Sequence, residues 1–152
     1  MACTILYFSI RSLNTGLGCV SVSKFGLSVA LGSANTLISN AFDLAYAATA
    51  MFKPVSTGVH ILKSGMYIVI CRFAITTNDG GRIGYGIRAW KSDGDYADSS
   101  DANSSSSARN DTYIYIRAGH YNANTYLRPI ASAASGGTCT GCSLTVLSLK
   151  AG

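Results

Sequence analysis

Apolar residues along this chain recur with a period of two rather than 3.6. The clearest run is residues 63–75, KSGMYIVICRFAI. A Lys-Ser-Gly turn opens it, and β-branched and aromatic residues follow almost without a polar break. The pattern predicts a strand buried on at least one face and mostly on both, which requires two layers to hide it. Residues 82–90, RIGYGIRAW, alternate strictly. Ile83, Tyr85, Ile87 and Ala89 fall on one side, and Arg82, Gly84, Gly86 and Arg88 on the other. One apolar face and one small or cationic face predict a half-buried strand.

The same reading places further strands. Residues 19–23 and 25–31 form one strand, or two with a break at Lys24. Residues 36–39 form a short strand. Residues 41–52 (AFDLAYAATAMF) have the alanine content of a helix but alternate at Phe42, Leu44 and Tyr46, and the β-rich context favours a strand. Residues 59–62, 112–117, 124–130 and 143–149 complete the set. Residues 32–35, 78–81 (NDGG) and 118–120 read as turns. Residues 91–112 (KSDGDYADSSDANSSSSARNDT) are polar throughout and predict a long exposed loop, and residues 131–141 a loop of small residues. Roughly eight to ten short strands and no helix make an all-β chain, an antiparallel β-sandwich or jelly roll.

Composition agrees. The chain has 152 residues, enough for one domain with a real core, with 48% apolar and only 12% charged residues and no Glu. Its net charge is +5. The cations Arg11, Lys24, Lys53, Lys63, Arg72, Arg82, Arg88, Arg117 and Arg128 are scattered singly, which argues against a nucleic-acid footprint. No apolar run is long enough to span a bilayer. The apolar start, MACTILYFSI, meets its first charge only at Arg11, the reverse of a signal peptide. It is expected to be a strand or docking arm of a chain made in the cytoplasm.

Candidate chemistry is sparse. The 5 cysteines include Cys71, inside the apolar strand, and a lone CxxC at Cys139 and Cys142. Zinc would need a second pair or spaced histidines, so a β-turn carrying two thiols or one local disulfide is expected there. Acid–base work would fall to 7 Asp and to His60 and His120, none in a nucleophile motif. The chain is therefore read as no enzyme and as needing no cofactor. Asp93, Asp95, Asp98 and Asp101 cluster as oxygen ligands would for calcium, but without EF-hand spacing and without Glu, so a solvated loop kept extended by its like charges is the favoured reading and no metal is expected. With Tyr96 and Asn103 they also make a candidate recognition loop, since aromatic and amide groups on loops suit adaptable polar binding and sugars.

At the strand ends the chain resembles the C1q/TNF-like jelly-roll superfamily, especially its short forms in bacteriophage structural proteins. Residues 58–67 (GVHILKSGMY) look like its strand, turn and Gly-x-Tyr element. Residues 113–119 (YIYIRAG) look like its strand ending in Ala-Gly, with His120 where many members have Asp. Residues 143–149 look like its terminal strand. The match runs over residues 25–149, leaving residues 1–24 as an N-terminal arm or first strand and residues 25–152 as the jelly-roll domain.

The resemblance implies a compact homotrimer that works by binding or in virion architecture. Alternation makes an interface plausible independently, because Tyr113 and Tyr115 share one strand face and Ile114 and Ile116 the other, and both are bulky. A tyrosine-rich trimer interface is expected at Tyr67, Tyr113, Tyr115 and Tyr126. The expected function is a trimeric capsid decoration or cement protein on the virion surface, with Ile5, Tyr7, Phe8 and Arg11 anchoring it to the major capsid protein or another virion protein. The alternative is a receptor- or carbohydrate-binding knob that meets a host surface glycan through residues 91–111. Nucleic acid and membrane are not expected partners.

Overall fold

The computed structural model describes residues 18–38, 42–47, 51–91 and 93–149. All of its regular structure is strand. In chain order these are β1 (Cys19–Leu31), β2 (Thr36–Leu37), β3 (Asp43–Ala47), β4 (Phe52–Val55), β5 (Gly58–Ile61), β6 (Gly65–Thr77), β7 (Gly81–Trp90), β8 (Tyr96–Ser105), β9 (Arg109–Tyr121), β10 (Tyr126–Ala133) and β11 (Gly137–Ser148). One sheet has the order β3-β1-β11-β6-β9 and the other β4-β5-β10-β7-β8, with the two-residue β2 beside β10. Every pairing is antiparallel. This is the jelly-roll sandwich that the alternating pattern predicts.

The apolar run sits at the heart of the first sheet. β6 pairs along its length with β11 on one side and β9 on the other. Its inner face, Tyr67, Val69, Cys71, Phe73 and Ile75, is fully buried. It meets Ile83 and Ile87 of β7, Leu127 and Ala131 of β10, and Val59 and Ile61 of β5 in one core. Its outer face is different: Ile68, Ile70 and Ala74 are half-buried and Met66 and Arg72 exposed. The strand is thus dry on one side only in the single chain.

Four sequence expectations need correction. The expected loop at residues 91–112 is mostly β8 and the start of β9, with a short turn near Asp93–Asp95 and another at residues 106–108. β8 escapes a hydropathy reading because both its faces are largely in water, and backbone pairing to β7 holds it. The expected loop at residues 131–141 is the end of β10, a turn at residues 134–136 and the start of β11, since Ala and Gly fill close-packed strand positions there. The Cys139–Cys142 segment is not a turn but strand β11, with a bulge between Cys139 and Gly141 that buries both thiols. Finally, the expected turn at residues 118–120 is the end of β9, which runs on to Tyr121. Of the two readings of residues 19–31, β1 is the single strand, irregular between Phe25 and Val29. Residues 19–24 therefore belong to the same strand as residues 25–31.

Phe73 is a large, fully buried side chain on the central strand, packed near Tyr85 (ring centroids 6.4 Å). Phe73→Ala should cost about 3–5 kcal/mol through lost burial and a residual cavity. A urea titration followed by far-UV circular dichroism checks this, and an unchanged midpoint would refute the placement of Phe73 in the core.

Candidate functional site

Two outward surfaces and one cleft stand out. The first surface is the outer face of the β3-β1-β11-β6-β9 sheet. Register sets Ile116 beside Ile70, Ile114 beside Arg72, and Ala118 beside Ile68, with Leu147 on the far side of Ile68. Ile114 and Ile116 remain 55% and 62% exposed, and Phe25, Met66 and Leu149 on the same face are also exposed. Arg72 is the cation within this patch. A contiguous apolar sheet face of this kind marks an interaction surface.

The tyrosines expected at that interface lie elsewhere. Tyr67, Tyr113 and Tyr115 point between the sheets and are buried. The Tyr67 hydroxyl donates to the Lys63 carbonyl, and that of Tyr115 to Ser99 Oγ at 2.8 Å. β9 alternates as its sequence predicts, but the tyrosine parity faces the core and the isoleucine parity faces out. Tyr67 and Tyr115 find acceptors for their hydroxyls at the margin of the core, whereas the buried Tyr113 hydroxyl has no hydrogen-bond partner among the described residues. Tyr126 lies on the opposite sheet.

The second surface is the outer face of that opposite sheet. Neighbouring strands place Lys53 (β4), His60 (β5), Tyr126 (β10), Trp90 (β7) and Tyr96 (β8) side by side in one row. The adjacent row carries Arg128, Arg88 and Asp98. The rings form a ladder. His60 stacks on Tyr126 at 4.1 Å and 9°, and Trp90 leans on Tyr96 at 5.5 Å. The Arg128 guanidinium lies 5.0 Å from the Trp90 ring and 5.8 Å from Tyr126, and that of Arg88 lies 4.0 Å from Tyr96.

Asp98 braces the ladder. It accepts from Arg88 Nε at 2.6 Å and Nη2 at 2.8 Å, and from Asn35 Nδ2 at 3.0 Å. The Arg88 hydrogen bonds hold its carboxyl below the usual carboxylate range, against the opposing effect of burial, and the same bonds push Arg88 up. The side chains keep only 14% and 23% of their exposure, so this pair is less screened than an ordinary surface pair. Beside it lies a polar trough of about 270 Å³, lined by Ser33, Asn35, Arg82, Ser100 and Ser132. Gly84 opens its floor; a Cβ there would press on Ser132 Oγ.

The cleft, about 360 Å³, lies where the edges of β8 and β9 face each other, and Arg117, His120 and Tyr121 line it. Arg117 donates to Ser99 Oγ, which also accepts from Tyr115, so its polar groups tie the two sheet edges together. Burial pushes the Tyr121 phenol up to about 12.

Of the expected recognition residues, Asp93 and Asp95 sit in the β7–β8 turn, where Asp93 Oδ1 accepts from the Asp95 N–H. Tyr96 and Asp98 face the ladder, whereas Asp101 and Asn103 have the opposite parity on β8. Strand alternation splits the group. Among the described residues no three His, Cys, Asp or Glu side chains are placed to hold a metal ion, and no helix is long and apolar enough to cross a membrane. Burial pushes the Cys71, Cys139 and Cys142 thiols up, Cys139 to about 11, which keeps them protonated and unreactive. The proposed anchor residues Ile5, Tyr7, Phe8 and Arg11 lie outside the described residues. Trp90, Arg88, Arg128, His60 and Asn35 were missed as site residues. The signal was present as parity: Arg88 and Trp90, Tyr126 and Arg128, and Tyr96 and Asp98 are each two apart and outward-facing.

No family model and no curated protein matches the sequence. Solved structures do match in fold. Murine APRIL superposes with a TM-score of 0.65 at 10% identity, covering 88% of this chain and 99% of that one. The PRD1 vertex protein P5 gives 0.64 at 13% identity, covering 88% and 97%. Eiger TNF from S. frugiperda gives 0.59 at 15% identity, covering 89% and 95%. The chain has the jelly-roll fold of these proteins, as the resemblance to the C1q/TNF-like superfamily led one to expect.

The Asp98 pKa is lower in the folded chain than in the unfolded one. Its stabilisation is therefore full above the unfolded value of about 3.9 and lost as pH falls through the folded value. Asp98→Asn should melt below the parent at neutral pH, and the gap should close in strong acid. Thermal melts across that range test this; a gap independent of pH would mean the Asp98 charge contributes nothing.

Proposed function

We propose that this chain is a non-enzymatic structural protein of a bacteriophage particle, a homotrimer that decorates the capsid from the virion surface. The observation that carries the reading is the apolar outer face of the β3-β1-β11-β6-β9 sheet, where Ile114 and Ile116 stand in water in the single chain. Covering that face with further copies of the same chain removes the exposure in a closed assembly. Three copies is the number implied by the superfamily resemblance. The shared fold with a protein named as a vertex protein supports the particle setting. The buried, protonated thiols and the separation of His60 on the ladder from His120 at the cleft support a role without catalysis.

In this reading the trimer docks on the major capsid protein or another virion protein, with Ile5, Tyr7, Phe8 and Arg11 as the anchoring residues. Binding across subunit junctions would stabilise the particle by linkage alone.

Light scattering should give the mass of three chains for the parent protein and of one chain for Ile114→Asp/Ile116→Asp. A monomeric parent would sink the trimer. Removing residues 1–17, which leaves β1 whole, should abolish binding to particles while keeping the trimer mass. Full particle binding by that truncated chain would reject the anchoring role.

A further inference from the structure

We infer that the outer face of the β4-β5-β10-β7-β8 sheet is a binding site for acidic carbohydrate, with the ladder and the adjoining trough as two parts of one surface. This goes beyond the virion reading and holds whether or not the chain is carried on a particle. Three features of the surface converge on that ligand class.

The first is shape. The ladder ends at Tyr96, 54% exposed, and the trough begins on the other side of the Asn35–Asp98–Arg88 brace. A ring-sized apolar step therefore adjoins a hydroxyl-lined depression. A pyranose presents the matching halves, C–H groups on one side and hydroxyls around its rim.

The second is the donor and acceptor set. Asn35, Asp98 and Arg88 are planar groups fixed against one another, and Ser33, Ser100 and Ser132 add hydroxyls that both donate and accept. Fixed planar groups suit the paired hydroxyls of a sugar, because their ordering cost is already met in the free protein.

The third is charge. Lys53, Arg82, Arg88 and Arg128 lie on this face, and in the two ladder rows Asp98 is the one carboxylate, already used by Arg88. Arg128 Nε is buried and has no hydrogen-bond partner among the described residues. The Arg128 guanidinium, held against Trp90 and Tyr126 with no carboxylate partner among the described residues, favours a ligand that brings one to its outer edge, and a sugar carboxylate does. Single-stranded nucleic acid is the lesser fit. Stacking successive bases needs several free ring faces in a row, and here His60, Tyr126 and Trp90 are turned to one another or to arginine, which leaves Tyr96 as the one well-exposed ring of the ladder.

Trp90 is the 1 tryptophan of the chain, so its emission reports on this surface alone. The protein would be titrated with sialyllactose and with a glucuronate-containing tetrasaccharide, each beside a neutral counterpart, lactose and the carboxyl-reduced tetrasaccharide. A saturable change in emission is expected with at least one acidic probe. Binding of its neutral counterpart should be about tenfold weaker or less, the scale of a lost charge-assisted hydrogen bond. Tyr96→Ala and Asn35→Ala, both at exposed positions, should each lose about tenfold in affinity while keeping the parent urea midpoint. The proposal is overturned if neither acidic probe gives a saturable change, if neutral counterparts bind equally, if both variants bind like the parent, or if oligothymidylate displaces the sugar at lower concentration.

Discussion

The register of β6 between β9 and β11 governs both the core and the surface of this protein. With side chains alternating, that register sends Tyr67, Val69, Cys71, Phe73 and Ile75 inward and Ile68, Ile70 and Arg72 outward. A slip of one residue would exchange the two sets and bury Arg72 against the second sheet. The cost of an unpaired buried cation and the loss of an aromatic core exclude that alternative. The same register aligns β9, so Tyr113 and Tyr115 complete the core and Ile114 and Ile116 are left outside. The apolar outer face follows from satisfying the inner one, because a β-strand with bulky apolar residues on both faces has only one interior to enter.

The second sheet solves a different problem. Its outer face is clad by side chains rather than by another sheet. Glycine makes this possible on β7: a Cβ at Gly86 would collide with the Ser99 carbonyl oxygen, so β8 packs close there and the outward positions on either side are left to Arg88, Trp90 and Arg82. Aromatic rings and guanidinium groups then shield one another, and Asp98 fixes the register of the arginine beside it. The two sheets thus face outward with unlike chemistry, one aliphatic and suited to a dry contact, the other aromatic, cationic and suited to a hydrated polar ligand.

The edges explain where pattern reading failed. β8 carries almost no apolar residue, yet it pairs with β7 along ten register positions from Gly81–Ser105 to Trp90–Tyr96. Backbone hydrogen bonds do not depend on side-chain hydropathy, so a strand held by them alone leaves no periodic trace. The reverse holds at residues 131–141, where alanine and glycine suggest a loop but occupy tight interior positions. Gly137 lies against the Thr76 carbonyl, and Ala131 and Ala133 are buried.

By itself the sequence determined that the chain is all-β, that residues 63–75 form a core strand, and that β7 and β9 each have two chemically distinct faces. Those conclusions follow from the period of two and from residue chemistry, which are local. Only the tertiary structure decided which parity of β9 faces the core, that β8 is a strand, and that His60, Trp90, Tyr96, Tyr126, Arg88 and Arg128 share one surface. These residues come from four strands as far apart in sequence as His60 and Arg128, and their assembly rests on strand pairings that no local pattern encodes.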